Sequence, residues 1–289
     1  MVKKINRIQR TEKKAQFDEL VELGLMYRNR LLCVFRSAGP DPPPSRVNSP
    51  ATLDALKKQT IDAMKNEPPT EHNIKNQALL RDGFKCTVTG LYDYDTCLLM
   101  EANERGDKRT CTTQAAYLFP AAVVDVPKQS SASAFALLTM FGLASQAESL
   151  YSDAFNSLQN VITVETSLYT LFDSFDLWLE PVAGQEQTYD VCGPLIDNNA
   201  PWWTGPLPSR ITLQVDPLAE AKAAERELTL SLPDPRLIAV RAICARVSNK
   251  SGAIEHMDQI LEDLKNSMGL AENGSMADLL AARLSMITA

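Results

Sequence analysis

The sequence predicts an α+β fold with helices at both ends and a small sheet-containing centre. Apolar residues recur at helical spacing near the N-terminus and again from residue 234 onward, short strand-like runs fall between them, and no internal repeat is visible. The length of 289 residues, with 45% hydrophobic and 22% charged side chains, is enough to bury a real core and excludes a chain that is disordered throughout.

Over residues 11–35, Phe17, Leu20, Val21, Tyr27, Leu31, Val34 and Phe35 form one apolar stripe of a helix, with Gly24 on the same stripe. Pro40, Pro42, Pro43, Pro44 and Pro50 then forbid helix and predict an extended connector. Residues 1–50 are thus read as a helix plus Pro-rich connector, and 51–289 as the α+β domain with its C-terminal helices. Within that domain, helices are expected over 53–65 and 73–81, the second ended by Gly83. Residues 84–90 alternate and stop at Gly90, the pattern of a strand entering a turn. A polar loop follows over 101–109, then strand and coil around Pro120 over 112–124, and a strongly apolar helix over 131–149. Residues 161–164 read as a strand, 166–173 as a helix and 175–179 as a strand. The Pro/Gly/Trp-rich stretch 192–208 reads as a long loop, and 210–215 and 227–232 as further strands. Helices are predicted at 234–247, with Leu237, Val240, Cys244 and Val247 on one face, and then at 252–267 and 275–287. Ser275 and Asp278 supply a capping box for the last.

Charge and residue counts narrow the chemistry. The formal charge of −7 and pI near 5.0 argue against a chain-wide nucleic-acid binder. Only two histidines are present, His72, expected in an exposed loop after Pro68-Pro69, and His256, expected at the polar edge of a C-terminal helix; this disfavours chemistry that needs several imidazoles. The cysteines, Cys33, Cys86, Cys97, Cys111, Cys192 and Cys244, contain no CxxC pair, so reduced, buried thiols are expected rather than a zinc site or a disulfide framework. Residues 1–14 carry Lys3, Lys4, Arg7, Arg10, Lys13 and Lys14 but no apolar h-region, which is not a secretory signal. The longest apolar run, 134–144, is about half the length of a membrane span. A cytoplasmic protein without a membrane span is the expectation.

The central region carries a family resemblance. The string Leu79-Leu80-Arg81-Asp82-Gly83-Phe84-Lys85-Cys86-Thr87-Val88-Thr89-Gly90, with Thr113-Gln114-Ala115-Ala116, Met140-Phe141-Gly142-Leu143, Leu171-Phe172-Asp173, Thr188-Tyr189-Asp190 and Leu232-Pro233-Asp234-Pro235-Arg236-Leu237, resembles fungal HNH-nuclease-like proteins. Residues 242–252 and Ala271-Glu272-Asn273-Gly274-Ser275 extend the resemblance over roughly residues 70 to 285; its specificity lies in the order and spacing of the strings rather than in any one of them. The resemblance implies a ββα core with helical flanks, holding one divalent ion. It implies a water-activating histidine at the end of the first strand, an asparagine fixing the hairpin loop and a metal-binding histidine on the helix.

Carried over residue by residue, the first histidine's place is held by Tyr117, the asparagine's by Asn160 and the helix histidine's by Tyr169. A phenol with a pKa near 10 is a poor general base at neutral pH and a weak neutral ligand for magnesium or zinc. The expectation is therefore a scaffold without its metal, and no cofactor. The sequence leaves three readings open. In the first, a metal-independent enzyme of secondary metabolism folds an apolar small molecule for a cyclisation of Diels–Alder type. There Tyr117 and Tyr169 donate hydrogen bonds, Asp173 orients one of them, and Phe119, Asn160, Phe172, Trp178, Trp202 and Trp203 line the pocket. In the second, a catalytically dead pseudonuclease binds nucleic acid, through the basic N-terminal arm with Arg105, Lys108 and Arg109, or a protein partner. In the third, the tyrosines only fill space. A carboxylate-only magnesium site from Glu165, Asp173 and Asp176 and a homo-oligomeric state also stay open.

Overall fold

The computed structural model describes residues 13–27, 52–119, 139, 142–145, 155–197 and 207–252. They fall in two units: Pro40–Phe119 with Ala154–Ala245, and Met1–Gly39 with Pro120–Asp153 and Arg246–Ala289. The class is α+β: among the described residues, helices accompany three small, separate sheets.

Helix α1, Lys13–Tyr27, runs through Gly24 without a break and belongs to the second-named unit. In the larger unit, Thr52 caps α2, Leu53–Asn66, by accepting the Ala55 N–H. Thr70 and Asn73 form a reciprocal capping box for α3, Glu71–Arg81, two residues earlier than the spacing predicts. His72 therefore lies in the first turn of a helix and not in a loop.

The end of α3 overturns the strand predicted over 84–90. Gly83 and Phe84 both take positive φ, 66° and 61°, and the Phe84 and Gly83 N–H groups return to the Leu79 and Leu80 carbonyls. The chain then folds into a tight turn in which Gly90 N–H reaches the Cys86 carbonyl, and only an isolated bridge joins Lys85 to Tyr92. This turn docks on a later strand, because the Thr87 N–H and hydroxyl both donate to the Thr163 carbonyl at 2.8 Å.

Strand β1, Tyr92–Asp93, leads directly into α4, Tyr94–Leu98. Asp93 caps that helix by accepting the Thr96 N–H, and its second oxygen takes the Thr113 hydroxyl at 2.5 Å. The polar stretch predicted as loop contains a one-turn helix, α5, Ala102–Arg105, before β2, Thr110–Cys111, which pairs parallel with β1. Strand β3, Thr113–Tyr117, pairs antiparallel with β4, Val161–Glu165, from Thr113 opposite Glu165 to Tyr117 opposite Val161. Helix α6, Thr166–Asp173, follows β4 without a linker, at the predicted bounds. The run Val161 to Val164 is buried throughout, and α3 and α6 both pack against the pair.

The third sheet is β5, Trp178–Pro181, β6, Thr188–Cys192, and β7, Arg210–Thr212, antiparallel in that order. The strand predicted at 175–179 starts three residues late because Phe175, at φ 65°, is the left-handed residue that closes α6; the Asp176 N–H returns to the Leu171 carbonyl. Part of the predicted long loop is structured, as the end of β6 and as α7, Pro194–Asp197. Helix α8, Pro217–Ala224, was not predicted. Asp216 caps it, and Glu227 at φ 61° beyond its end prevents the strand expected over 227–232, so Leu230 is buried in the core without strand pairing. Helix α9, Pro235–Ser251, matches its prediction and extends it.

One cluster of the core joins α2, α3, β4 and α8, through residues such as Leu56, Ile74, Leu80, Val161 and Ala219. Beside it lies a charge pair whose arginine is completely buried. Arg81 grips Asp82 with two bonds of 2.6 and 2.8 Å and donates a third to the Leu158 carbonyl at 2.7 Å, fastening the end of α3 to the 3₁₀ turn Leu158–Asn160. Residues 1–12, 28–51, 146–149 and 253–289, with the basic arm as far as Arg10, the Pro-rich connector, His256 and the two last predicted helices, lie outside the described residues, as does most of the helix predicted at 131–149.

Candidate functional site

The site begins where β3 ends. Pairing with Val161 places Tyr117 at the last rung of the β3–β4 ladder, and Leu118 N–H continues toward Asn160 through its carbonyl at 2.7 Å. Asn160 is completely buried. Its side-chain oxygen accepts the Phe119 N–H at 2.9 Å, and its amide nitrogen donates to the Phe119 carbonyl at 2.9 Å and the Phe155 carbonyl at 3.2 Å. One side chain thus clamps the segment leaving β3 to the segment entering β4. That role uses its hydrogen-bonding capacity, so Asn160 holds the site's backbone and does not line a pocket.

Tyr117 is half-buried. Its hydroxyl donates to Asn156 Oδ1 at 2.8 Å, and its ring stacks on Phe155 with centroids 4.9 Å apart and planes 11° from parallel. Tyr169, Phe172 and Asp173 lie on α6. Phe172 faces inward and is buried, while Tyr169 and Asp173 are half-buried.

What brings these residues together is Arg241, on α9, only 3% exposed. Its guanidinium donates to the carbonyls of Tyr117 and Leu118, each at 3.4 Å, and of Phe172, and its Cζ lies 3.9 Å from the Phe172 ring centroid and 5.2 Å from that of Phe175. Burial pulls its pKa down to about 10; the charge of Asp173 opposes this most, followed by Cys244 and Tyr169. Arg241 stays protonated at neutral pH. A fixed cation thus binds the end of β3 to the last turn of α6, within the fields of Asp173 and Tyr169.

The remaining expectations separate. Phe119 at 1% and Trp178 at 9% exposure are core residues; the Trp178 indole donates to Glu180 at 2.9 Å within the third sheet. They pack the fold rather than furnish an open apolar wall. Trp202 and Trp203 lie outside the described residues. The carboxylates do not assemble. Glu165 accepts from Ser167, Asp176 accepts from Ser174, and Asp173 acts on Arg241. Among the described residues no group of three or more histidine, cysteine or acidic side chains is placed to hold a metal.

The donor set does not fit the divalent ion that the resemblance implies. Two phenols stand at the histidine positions, one already engaged by Asn156, and the resident guanidinium repels a second cation.

Two of the described thiols, those of Cys86 and Cys111, are held within the fold. Cys86 Sγ accepts the N–H groups of Thr89 and Glu165 at 3.4 and 3.3 Å. Burial, and after it the neighbouring Cys86 and Glu165, push the Cys111 thiol up to about 12, which keeps it protonated at neutral pH. Of the basic residues considered for nucleic acid, Lys108 lies 5.3 Å from the Tyr92 ring centroid, with Lys85 at 4.7 Å from the same ring. Arg105 is turned to the Leu98 and Met100 carbonyls.

Sequence reasoning missed Arg241, Asn156, Phe155 and the placement of Lys85 and Lys108 over the Tyr92 ring. Arg241 alone left a signal, since it falls on the apolar stripe of its helix, four residues after Leu237 and three before Cys244. Comparison with known proteins finds no matching family model, curated protein or solved structure.

Proposed function

We propose that this chain is a non-nucleolytic protein built on an HNH-like ββα unit, serving as a binding module for a protein partner. What supports the scaffold reading is the sequence β3–β4–α6, an antiparallel pair running directly into a helix, with Tyr117 ending the first strand, Asn160 clamping its exit and Tyr169 on the helix. The observation that carries the loss of hydrolysis is Arg241. A buried guanidinium ties together the elements bearing both tyrosines, where the resemblance calls for imidazoles around an ion. The charge of −7 favours protein over nucleic acid, and Tyr94 and Leu98, one turn apart on α4 and about half exposed, offer an apolar contact.

The test is incubation of the protein with supercoiled plasmid in magnesium, manganese or zinc, alongside a gel shift with single- and double-stranded oligonucleotides over a salt series. Intact plasmid and no shift are expected. Metal-dependent nicking refutes the loss of hydrolysis, and a salt-sensitive shift replaces the protein partner with nucleic acid.

A second reading, the metal-independent cyclase, is favoured by one observation: Tyr117 and Tyr169 are both half-buried on elements that Arg241 ties together, and a phenol O–H can donate to a substrate carbonyl. It predicts thermal stabilisation by apolar polyketide or terpenoid ligands that is lost in the Tyr117→Phe/Tyr169→Phe double variant.

A further inference from the structure

Two lysines of the larger unit are turned onto one aromatic ring. The isolated bridge sets Lys85 beside Tyr92, and the β1–β2 register sets Tyr92 beside Thr110, so the three form one row across adjacent segments, on the same face. Lys108, two residues before Thr110, joins them. The Lys85 and Lys108 ammoniums lie 4.7 and 5.3 Å from the Tyr92 ring centroid, and Lys108 also donates to the Glu104 carbonyl. Lys85, Tyr92 and Lys108 are half-buried and Thr110 is exposed. Among the described residues neither ammonium pairs with a carboxylate, whereas Lys57 and Lys222 meet Asp54 and Arg226 meets Asp62. The Tyr92 and Thr110 hydroxyls likewise have no hydrogen-bond partner among the described residues.

We propose that Lys85, Lys108 and the hydroxyls of Tyr92 and Thr110 bind a phosphorylated side chain of a protein partner. The argument is charge complementarity. In a chain of net charge −7, two cations held on one ring without a carboxylate receive their counter-charge from outside. A phosphoryl group carries about −1.5 to −2 at neutral pH, which two ammoniums balance, and it offers three acceptor oxygens to the four donors. A carboxylate brings about half that charge and one oxygen fewer. The neighbouring acidic residues set the size of the ligand. Asp107 precedes Lys108, and Asp95, Glu101 and Glu104 are exposed at α4 and α5. They repel an extended polyanion, so a single phosphoryl group on an otherwise uncharged or basic segment fits this patch and nucleic acid does not. The inference rests on the protein-partner reading and names the chemistry of the partner.

Fluorescence anisotropy on the full chain in reducing buffer tests it, at about 50 and about 300 mM salt. The probes are labelled peptide pools of random sequence built around one fixed phosphoserine, phosphotyrosine, serine or glutamate. At least one phosphorylated pool is expected to bind about tenfold tighter than the serine and glutamate pools, to weaken at the higher salt, and to be displaced by millimolar inorganic phosphate. The Lys85→Gln/Lys108→Gln double variant is expected to lose that preference while its circular-dichroism melt matches the wild type. Should the double variant melt early, Tyr92→Phe keeps the ring under both cations and removes one donor, and a severalfold loss for the phosphorylated pool is expected. Four pools that bind alike, with no gel shift on oligonucleotides, overturn this inference and leave the protein-partner reading standing. A phosphoryl preference unchanged in the double variant, or in Tyr92→Phe where the double variant does not fold, overturns it too. An oligonucleotide shift that the double variant abolishes gives the patch to nucleic acid and overturns both readings.

Discussion

Replacing Arg241 by methionine is the perturbation that most directly probes the site. The guanidinium makes three charge-assisted bonds to buried carbonyls, two of them long at 3.4 Å, and covers the Phe172 ring at 3.9 Å. The bond to Phe172 is worth about 1.5–3 kcal/mol and the two long ones about 0.5 kcal/mol each; the lost ring contact adds about 1 kcal/mol. Against this, methionine is of similar length and no longer requires a charge to be desolvated, which returns part of the loss. Asp173 is half-buried and can rehydrate when its cation goes, so it does not add the full penalty of an orphaned buried charge. The balance is a destabilisation of about 2–4 kcal/mol, or a fall in Tm of roughly 5–15 °C for a unit of this size. Arg241→Lys keeps the charge without the planar fork and should lie between methionine and wild type. Urea unfolding followed by far-UV circular dichroism measures both variants. If Arg241→Met unfolds within about 0.5 kcal/mol of the wild type, the guanidinium does not organise the site and the functional argument built on it fails.

Asn160→Ala removes the clamp on both sides of Phe119 and leaves its buried N–H and carbonyl unpaired, so a loss of about 2–4 kcal/mol is expected by denaturant titration. Asn160→Asp keeps the acceptor for Phe119 N–H but turns a carboxylate oxygen toward the Phe119 carbonyl, and should be no better than alanine. Gly193→Ala would set a Cβ 2.0 Å from the Asp176 carbonyl oxygen, a clash with backbone that cannot be relieved by a rotamer; soluble yield and Tm should both collapse. At high pH the folded state retains protons that the unfolded chain loses. The buried thiol of Cys111 and the phenol of Tyr189, the latter raised by burial and by Asp234, both reach about 12, from ordinary values near 9 and 10. Arg241, lowered to about 10, works in the opposite sense only above that pH. Stability should therefore fall as pH rises through 9 to 10, and Cys111→Ala should flatten that slope in urea midpoints measured across it.

Much of the architecture was readable because it is local. The helices at 53–66, 71–81, 166–173 and 235–251 announce themselves by the spacing of their apolar residues, and the β4 run by its continuous apolar character. Two strand predictions failed, and a third strand starts late, for a shared reason. Phe84, Phe175 and Glu227 all adopt positive φ just beyond a helix, at residue types that ordinarily avoid it, so alternation and β-propensity pointed to strands where the chain instead turns. The buried aromatic ring of Phe175 shows what overrides the local preference: its side chain is completely enclosed, and that burial outweighs roughly 1 kcal/mol of backbone strain.

The site divides along the same line. Tyr117, Asn160 and Tyr169 could be nominated from sequence, because each stands at a definite place along a strand or helix. What relates them could not, because Arg241 is 124 residues from Tyr117 in the chain and reaches it through a backbone carbonyl, an acceptor that every residue type presents alike. The same limit explains why the expected pocket dissolved. Aromatic content nominates Phe119, Phe172 and Trp178 equally well for a substrate wall or for a core, and only their exposures of 1, 2 and 9% decide for the core. A charge on an apolar helical stripe is the more discriminating signal. Burying an arginine is so costly unless carbonyls or carboxylates receive it that its position alone demands a polar destination across the fold. Applied to residues 237–245, that rule selects Arg241 from sequence and leaves only its acceptors, the carbonyls of Tyr117, Leu118 and Phe172, for the structure to supply.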